Sequence, residues 1–487
     1  MEFSLYLKNG TVITVDPDYR ILHGAAIGIH NDTITYIGEA LPDCSAERVL
    51  DCSGMVLLPG FIDSHAHAGH GLMKNIGEGI IQSDILDLLL FVYFQCSTPE
   101  FWFAEAQLSG LEKLRYGVTT AFSYLGSNPR YDDLVYAGAH VDGVKEIGIR
   151  DILGIGPANP PFPKTFRDWQ DMQIIRTRQL GYEHALQMTH EAVKKFNNTN
   201  SGLTFSYPTP SFIGFREGLS LEEHKLIANT LKNIASEFNT PIHGHSYAGD
   251  VAYAYEHLDI LGPNVFIAHV TGISKEEIRI LAETGTHVCS GPMTHAYVSA
   301  RCPVVELLEA GVNVVFCSDA SAPDRTYDLF EKMRIGQQLH RVHFHDGDLL
   351  PAGRTLRMVT IDAARAVGLD KLIGSLEVGK KADIICVDMQ KPHLVPAWQH
   401  PLRMVYQASG HDVDSVIVNG RVLMESRKIT HVDEHQILKN AQLEADKAVR
   451  RAGAERYLDV PQDTWTSLRH QGNEIYSISQ ADGITGV

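Results

Sequence analysis

Apolar positions change rhythm three times along the chain. Up to about position 58 they alternate in short runs, Leu5–Leu7, Val12–Val15, Ala26–Ile29 and Ile34–Ile37. Turn pairs separate the runs: Asn9-Gly10, Asp16-Pro17 and Asn31-Asp32. Period-two runs broken by Asn, Gly, Asp and Pro are the pattern of half-buried strands. Residues 1–58 are therefore predicted to be all β.

From Val56 onward the texture differs. Apolar runs that each close on polar residues (VLLPGFIDSHAH, GVTTAFSYLG, LTFSYPTPS, PIHGHS, VFIAHV, THVCSG, VNVVFCSD) alternate with segments of helical periodicity. The predicted helices are Phe101–Tyr116, Tyr182–Asn197, Leu221–Phe238, Lys275–Glu283, Val304–Ala310 and Leu329–Arg341. Strands alternating with helices predict a parallel sheet. Residues 59–365 have the length of one (β/α)8 TIM-type barrel of the α/β class. Short strands return near position 373 in IGSLEVGKKADIICVDM and SVIVNGRVLMESRKIT. The simplest arrangement joins 1–58 with 366–434 as one small β-sandwich domain made from both chain ends. A C-terminal helical extension, 435–487, opens with a predicted helix over His435–Arg451.

Composition narrows the class. The chain has 487 residues, 44% hydrophobic and 21% charged, which suits a soluble protein with a large core. A formal charge of −17 argues against nucleic-acid and anionic-membrane partners. The seven cysteines are odd in number and widely spaced, without a CxxC pair, so neither a disulfide framework nor a cysteine zinc site is expected. The longest apolar run, Ile85–Phe94, is interrupted by Asp87 and is too short to span a bilayer. The N-terminal segment has no secretion-signal pattern, so a cytoplasmic location is expected.

The candidate chemistry sits where the apolar runs end. Asp63-Ser64-His65-Ala66-His67 places two imidazoles two residues apart, on one side of an extended chain. With 24 histidines, such a pair alone is modest evidence, but this one follows an apolar strand, at the end where barrel enzymes carry their sites. Ile242-His243-Gly244-His245 repeats the pattern, and one of its two histidines is expected only to pack or bond to backbone. His269 ends VFIAHV, and Asp319 ends VNVVFCSD. A lone histidine of this kind is more often a satisfied core residue, and an acid after an apolar strand is costly to bury unless paired or metal-bound. All four signals fall at the same strand end, which points to one divalent metal ion. Zn²⁺ is favoured, with Fe²⁺ or Mn²⁺ as alternatives. The chemistry expected is hydrolysis by metal-activated water, with a carboxylate taking the water's proton.

LPGFIDSHAH, the later strand-end His and Asp residues, and IGSLEVGKKADIICVD…VDSVIVNGRV together resemble the amidohydrolase superfamily, over about Leu5 to Asp433. HAGHGLMKNIGEG and PMTHAYVSARCPVVELLEAGVNVVFCSD resemble the branch of cytosine, guanine and S-adenosylhomocysteine deaminases and s-triazine hydrolases. The resemblance implies His65, His67 and Asp319 as metal ligands, with His245 favoured over His243 as the fifth-strand ligand. It implies His269 as a contact to the hydrolytic water or substrate and Asp319 as the proton acceptor. His295 stands where this branch often has a pocket-facing Asn. The branch usually has a Glu three residues beyond the fifth-strand histidine. Here that place is Ala248, or Ser246 counted from His243, and Asp250 is the nearest acid.

The expected activity is hydrolysis of a non-peptide C–N bond in a small heterocyclic substrate. Amide, carbamate, urea or carbon–halogen hydrolysis is the alternative, and a non-enzymatic scaffold comes third. His243, Asp250, His295 and Arg301 are candidate substrate contacts. Lys74 and Asp324-Arg325 are weaker pocket candidates. Arg167–Gln179 reads as a lid or an oligomer contact, and a homo-oligomer is expected.

Overall fold

The computed structural model describes residues 1–77, 82–128, 130–460 and 462–466. Its centre is a set of eight parallel strands in chain order. They are Phe61–Asp63, Val118–Leu125, Arg150–Ile155, Thr204–Pro208, Ile242–Ser246, Val265–His269, His287–Ser290 and Val314–Phe316. The first four pair as one sheet, joined by the short strand His67–Ala68, and the last four pair as another. Parallel bridges Phe212↔His245 and Ala66↔Asp319 link the two sheets, the second joining the first strand to the last. Val118–Leu125 and Arg150–Ile155 are buried at every position. Strands covered on both faces lose the in–out alternation of a half-exposed strand, although Thr, Ser, Arg and Asp interrupt the apolar residues of these two.

Helices follow the strands for local reasons. Leu221–Phe238 starts at a capping box, Ser220 with Glu223, and stops at Asn239 in the left-handed region at φ 51°. Ala228, Leu231, Ile234 and Ala235 form its buried face, at the spacing of one helical stripe. Several helices have no counterpart in the sequence reading, the two longest being Leu134–Ile147 and Gln82–Phe91, which covers much of the Ile85–Phe94 run.

Both chain ends contribute to one eight-stranded sheet. Its order is Arg421–Met424, Val413–Val418, Ile384–Asp388, Met55–Pro59, Glu2–Ile13, Ile21–His30, Thr33–Glu39, with Ser45–Asp51 also paired to Glu2–Ile13. A buried ion pair, Arg150–Asp383 at 3.1 Å, ties this sheet to the third parallel strand. Asn9-Gly10 is not a turn. The strand runs through it as Glu2–Ile13, with register irregularities on either side of Gly10. Asn9 adopts φ 66°, a conformation Asn tolerates, so a bulge absorbs the residue pair that reads locally as a turn. Arg167–Gln179 falls within a β-hairpin, Lys164–Gln170 with Gln173–Leu180.

The helix Glu434–Ala452 is anchored by Arg115, the last residue of the helix Pro99–Arg115, which pairs with Glu434. Residues 467–487 of the expected extension lie outside the described residues. Among the described residues no helix is long and apolar enough to cross a membrane.

Candidate functional site

The site assembles where the first and eighth strands meet. The buried Asp63 carboxylate accepts from Ser318 N at 2.9 Å and Ser318 Oγ at 2.5 Å, and Asp319 N donates to His65 O at 2.9 Å. This clamp sets Asp319 beside the two histidines. Its Oδ1 lies 3.2 Å from His65 Nε2 and 3.1 Å from His67 Nε2.

The hydrogen bonds of the imidazoles fix which nitrogen faces inward. His67 Nδ1 lies 2.6 Å from Gly126 O, and His245 Nδ1 lies 2.6 Å from Ser211 O. A carbonyl only accepts, so both Nδ1 atoms carry the proton and both Nε2 atoms carry a lone pair. For His65 the same logic runs through a second imidazole. His243 Nδ1 donates to Phe266 O at 2.7 Å, so His243 Nε2 accepts from His65 Nδ1, also at 2.7 Å. His65 Nε2 is left as a buried atom without a hydrogen-bond partner.

Three inward lone pairs therefore cluster, with the Asp319 carboxylate beside two of them. His67 and His245 Nε2 are 3.4 Å apart. Two tetrahedral zinc ligands at about 2.05 Å from the ion sit about 3.3 Å apart. Lone pairs this close repel unless a cation lies between them. The donor set thus fits a divalent metal ion, and His65, His67 and His245 form one potential ligand triad. Burial pushes the imidazoles of His65, His243 and His245 below the ordinary histidine range. That keeps them neutral, as ligands must be.

His269 ends the sixth strand and forms a second potential triad with His65 and Asp319. It stacks on His245 with ring centroids 5.1 Å apart, and its Nδ1 lies 3.4 Å from His295 Nε2. Burial holds His269 down to about 3 and His295 down to about 4. Burial by itself raises the Asp319 carboxyl, but His269, His65 and His67 outweigh it and hold the group well below the usual carboxylate range. His269 and Asp319 have φ 77° and 61°. Such left-handed backbone in non-glycine residues is rare and concentrates at functional sites.

A cleft of about 590 Å³ opens over these groups, a normal size for a small-molecule site. His67, His245, His269, His295 and Asp319 line it. Five sequence candidates, His243, Asp250, Arg301, Lys74 and Asp324, are not among the residues that line it. His243 lies behind His65, between Phe266 and Phe122, with ring centroids 4.2 and 4.5 Å away. Asp250 is bonded by the Arg216 guanidinium at 2.8 and 3.0 Å and by the amides of Phe215 and Tyr247. Arg301 pairs with Glu306. Lys74 pairs with Glu112. Ala248 sits against Gly272, off the cleft wall. Besides Asp319, Asp87 is the one acid on the wall among the described residues, and it is exposed.

Sequence reasoning missed His70, Asn128 and Tyr247, which also line the cleft. His70, three residues beyond His67, was the most legible of them. It contacts Ser127 Oγ through Nε2 at 2.9 Å. Tyr247 stacks on His269, with ring centroids 5.4 Å apart.

Comparison with known proteins agrees with this architecture. The amidohydrolase family model matches residues 56–423, and the chain belongs to that family. A 5'-deoxyadenosine deaminase of Methanosarcina barkeri is 30% identical over 92% of this chain and 99% of the relative. A 5-methylthioadenosine/S-adenosylhomocysteine deaminase of Thermoanaerobacter pseudethanolicus is 28% identical over 92% of this chain and 100% of the relative. Among solved structures, a zinc-bound adenosine deaminase from Xanthomonas campestris aligns with TM-score 0.79 at 22% identity, over 92% of this chain and 99% of its own. Atrazine chlorohydrolase of Arthrobacter aurescens, complexed with zinc, aligns with TM-score 0.78 at 22% identity, over 91% and 100%.

Proposed function

We propose that this amidohydrolase is a zinc-dependent deaminase, which replaces the exocyclic amine of an aminopurine nucleoside or similar heterocycle with oxygen and releases ammonia. The reading rests on one observation: the inward lone pairs of His65, His67 and His245 converge with the Asp319 carboxylate. These four residues would hold one ion. When bound, zinc supplies Lewis acidity and brings the ionisation of water near pH 7. Asp319 accepts a proton from the attacking water. His269, stacked on His245, steadies the incoming oxygen by hydrogen bonding. The carbon exchanges its C–N bond for a C–O bond. Of the water's two protons, one leaves with ammonia and the other ends on the ring nitrogen. The deaminase names of the two sequence relatives support an adenosine-type substrate. In this reading residues 59–365 are the catalytic barrel. Residues 1–58 and 366–434 form a β-sandwich that buttresses it, and 435–487 form an extension.

One observation favours a second reading. With Ala248 off the wall and Asp250 held by Arg216, the described cleft offers no buried carboxylate besides Asp319 to protonate a departing amine. A leaving group that departs without a proton, such as chloride, removes that need. The experiment is ammonia and chloride release by the zinc-loaded protein from matched 6-amino- and 6-chloropurine nucleosides. Ammonia release establishes the deaminase. Chloride release alone establishes the second reading, and neither product from the folded, zinc-loaded protein rejects both for purines.

A further inference from the structure

The cleft holds a cation that the hydrolytic chemistry does not use. Arg325 lies six positions beyond Asp319, on the loop that follows the eighth strand, and it lines the cleft while only 6% exposed. Its guanidinium is fixed on two edges by its own loop. Nε donates to Ala320 O at 2.7 Å and Nη2 donates to Ala322 O at 2.5 Å. The face of Tyr297 lies 5.1 Å from the guanidinium carbon. Nη1 is buried and makes no hydrogen bond. The one carboxylate near it among the described residues is Asp324 at 3.6 Å, itself 54% exposed.

Buried arginines normally use their donors, and an unmatched buried donor calls for an explanation. The charge is also out of balance. Arg301 and Lys74 each have a close carboxylate of their own, whereas Arg325 has only the solvated Asp324. The other acids on the described cleft wall are Asp319, which faces the three imidazoles, and the exposed Asp87. The cation therefore sits in the cleft wall, its Nη1 buried, without an adequate anion from the chain. Guanidinium forms charge-assisted hydrogen bonds to carboxylate and phosphate oxygens, and the single charge of a carboxylate is the one that balances a single cation.

We propose that Arg325 binds a carboxylate on the substrate and so makes this an enzyme for anionic rather than neutral heterocycles. The inference rests on the metal-site reading for the placement of the reacting carbon, but not on which bond is cut. Its test is direct binding, by calorimetry on the zinc-loaded full-length protein. Two ligand pairs differ chiefly in a carboxylate: adenosine-5'-carboxylate with adenosine, and pterin-6-carboxylate with pterin. They present the carboxylate at different distances from the heterocycle.

In at least one pair the carboxylate ligand is expected to bind roughly 10–100-fold tighter, the usual strength of a charge-assisted hydrogen bond. Arg325→Gln is expected to abolish that preference while leaving the neutral partner's affinity unchanged, and Arg325→Lys to keep part of it. A preference absent from both pairs, or surviving in Arg325→Gln, overturns the proposal. So does an equal loss for both members of a pair, which would mark Arg325 as a loop anchor only. A preference that depends on Arg325 without ammonia release leaves the subsite standing and rejects the deaminase reading. Ammonia release without the preference does the reverse, and binding of none of the four ligands rejects both.

Discussion

His243→Ala is the most informative single substitution, because His243 and His245 look alike in the sequence and differ in the fold. His243 touches no open space. Its Nε2 accepts from His65 Nδ1 and its Nδ1 donates to Phe266 O, both at 2.7 Å. Removing the ring leaves the His65 N–H and the Phe266 carbonyl without these partners and opens a hole between Phe122 and Phe266. Each unmatched buried group costs about 1–3 kcal/mol, so the two together cost about 2–6 kcal/mol, and the cavity adds to that loss. The metal should feel the change through His65, whose ring is no longer held in one tautomer. Loss of such an orienting partner typically weakens metal binding by about 10–100-fold, or about 1.4–2.7 kcal/mol.

His245→Ala removes a ligand outright and should weaken binding far more. His243→Gln, whose side-chain oxygen can accept from His65, should recover part of the loss. The assay is zinc affinity by competition with a chromogenic chelator, with melting temperature read beside it. Wild-type affinity in His243→Ala, or a loss as complete as in His245→Ala with no rescue by Gln, would refute the reasoning.

Four further outcomes follow from the same geometry. Asp319→Asn should lower kcat by at least about 10²-fold, since the site loses both a charged ligand and its proton acceptor; steady-state kinetics with zinc analysis checks it. Chelation should lower the melting temperature, and zinc returned at about 100 times its dissociation constant should restore about 2.7 kcal/mol, as a calorimetric scan would read. Asp250→Asn should leave kcat intact while destabilising the fold, because Arg216 loses its carboxylate; chemical denaturation compared with turnover separates the two. Asp168 sits in the hairpin, where burial raises its carboxyl but Tyr136, Arg178 and Arg130 together hold it below the ordinary range. Its contribution is present above the unfolded aspartate pKa, near 3.9, and is lost as pH falls through the lower folded value. The wild-type advantage over Asp168→Asn should therefore shrink as pH drops below about 4, measured by denaturation at several pH values.

Much of this was legible because the relevant signals are local. The helix Leu221–Phe238 carries its own cap and stop, and the strand ends at His65, His67, His245, His269 and Asp319 are marked by polar residues closing apolar runs. Non-local facts were not legible. Asn9-Gly10 has turn composition, yet pairing on both sides of Glu2–Ile13 carries the strand through it. Asp250 was the nearest acid in sequence to the place of the missing glutamate. Arg216, more than thirty residues earlier, claims it. His243 and His245 are equivalent by strand periodicity, and their difference comes from the layers behind them: Phe266 O for one, Ser211 O for the other. Arg325 was only a weak pocket candidate in the sequence, because its burial depends on Tyr297 and the carbonyls of its own loop.

The most direct test of the central claim is a zinc titration of the metal-free protein, following ammonia release from 5'-deoxyadenosine and the anionic substrates above. The account predicts no turnover without metal and a linear rise that breaks at one zinc per chain. Turnover by the metal-free protein, a break at two ions, or no ammonia from any of these compounds at full zinc occupancy would contradict it.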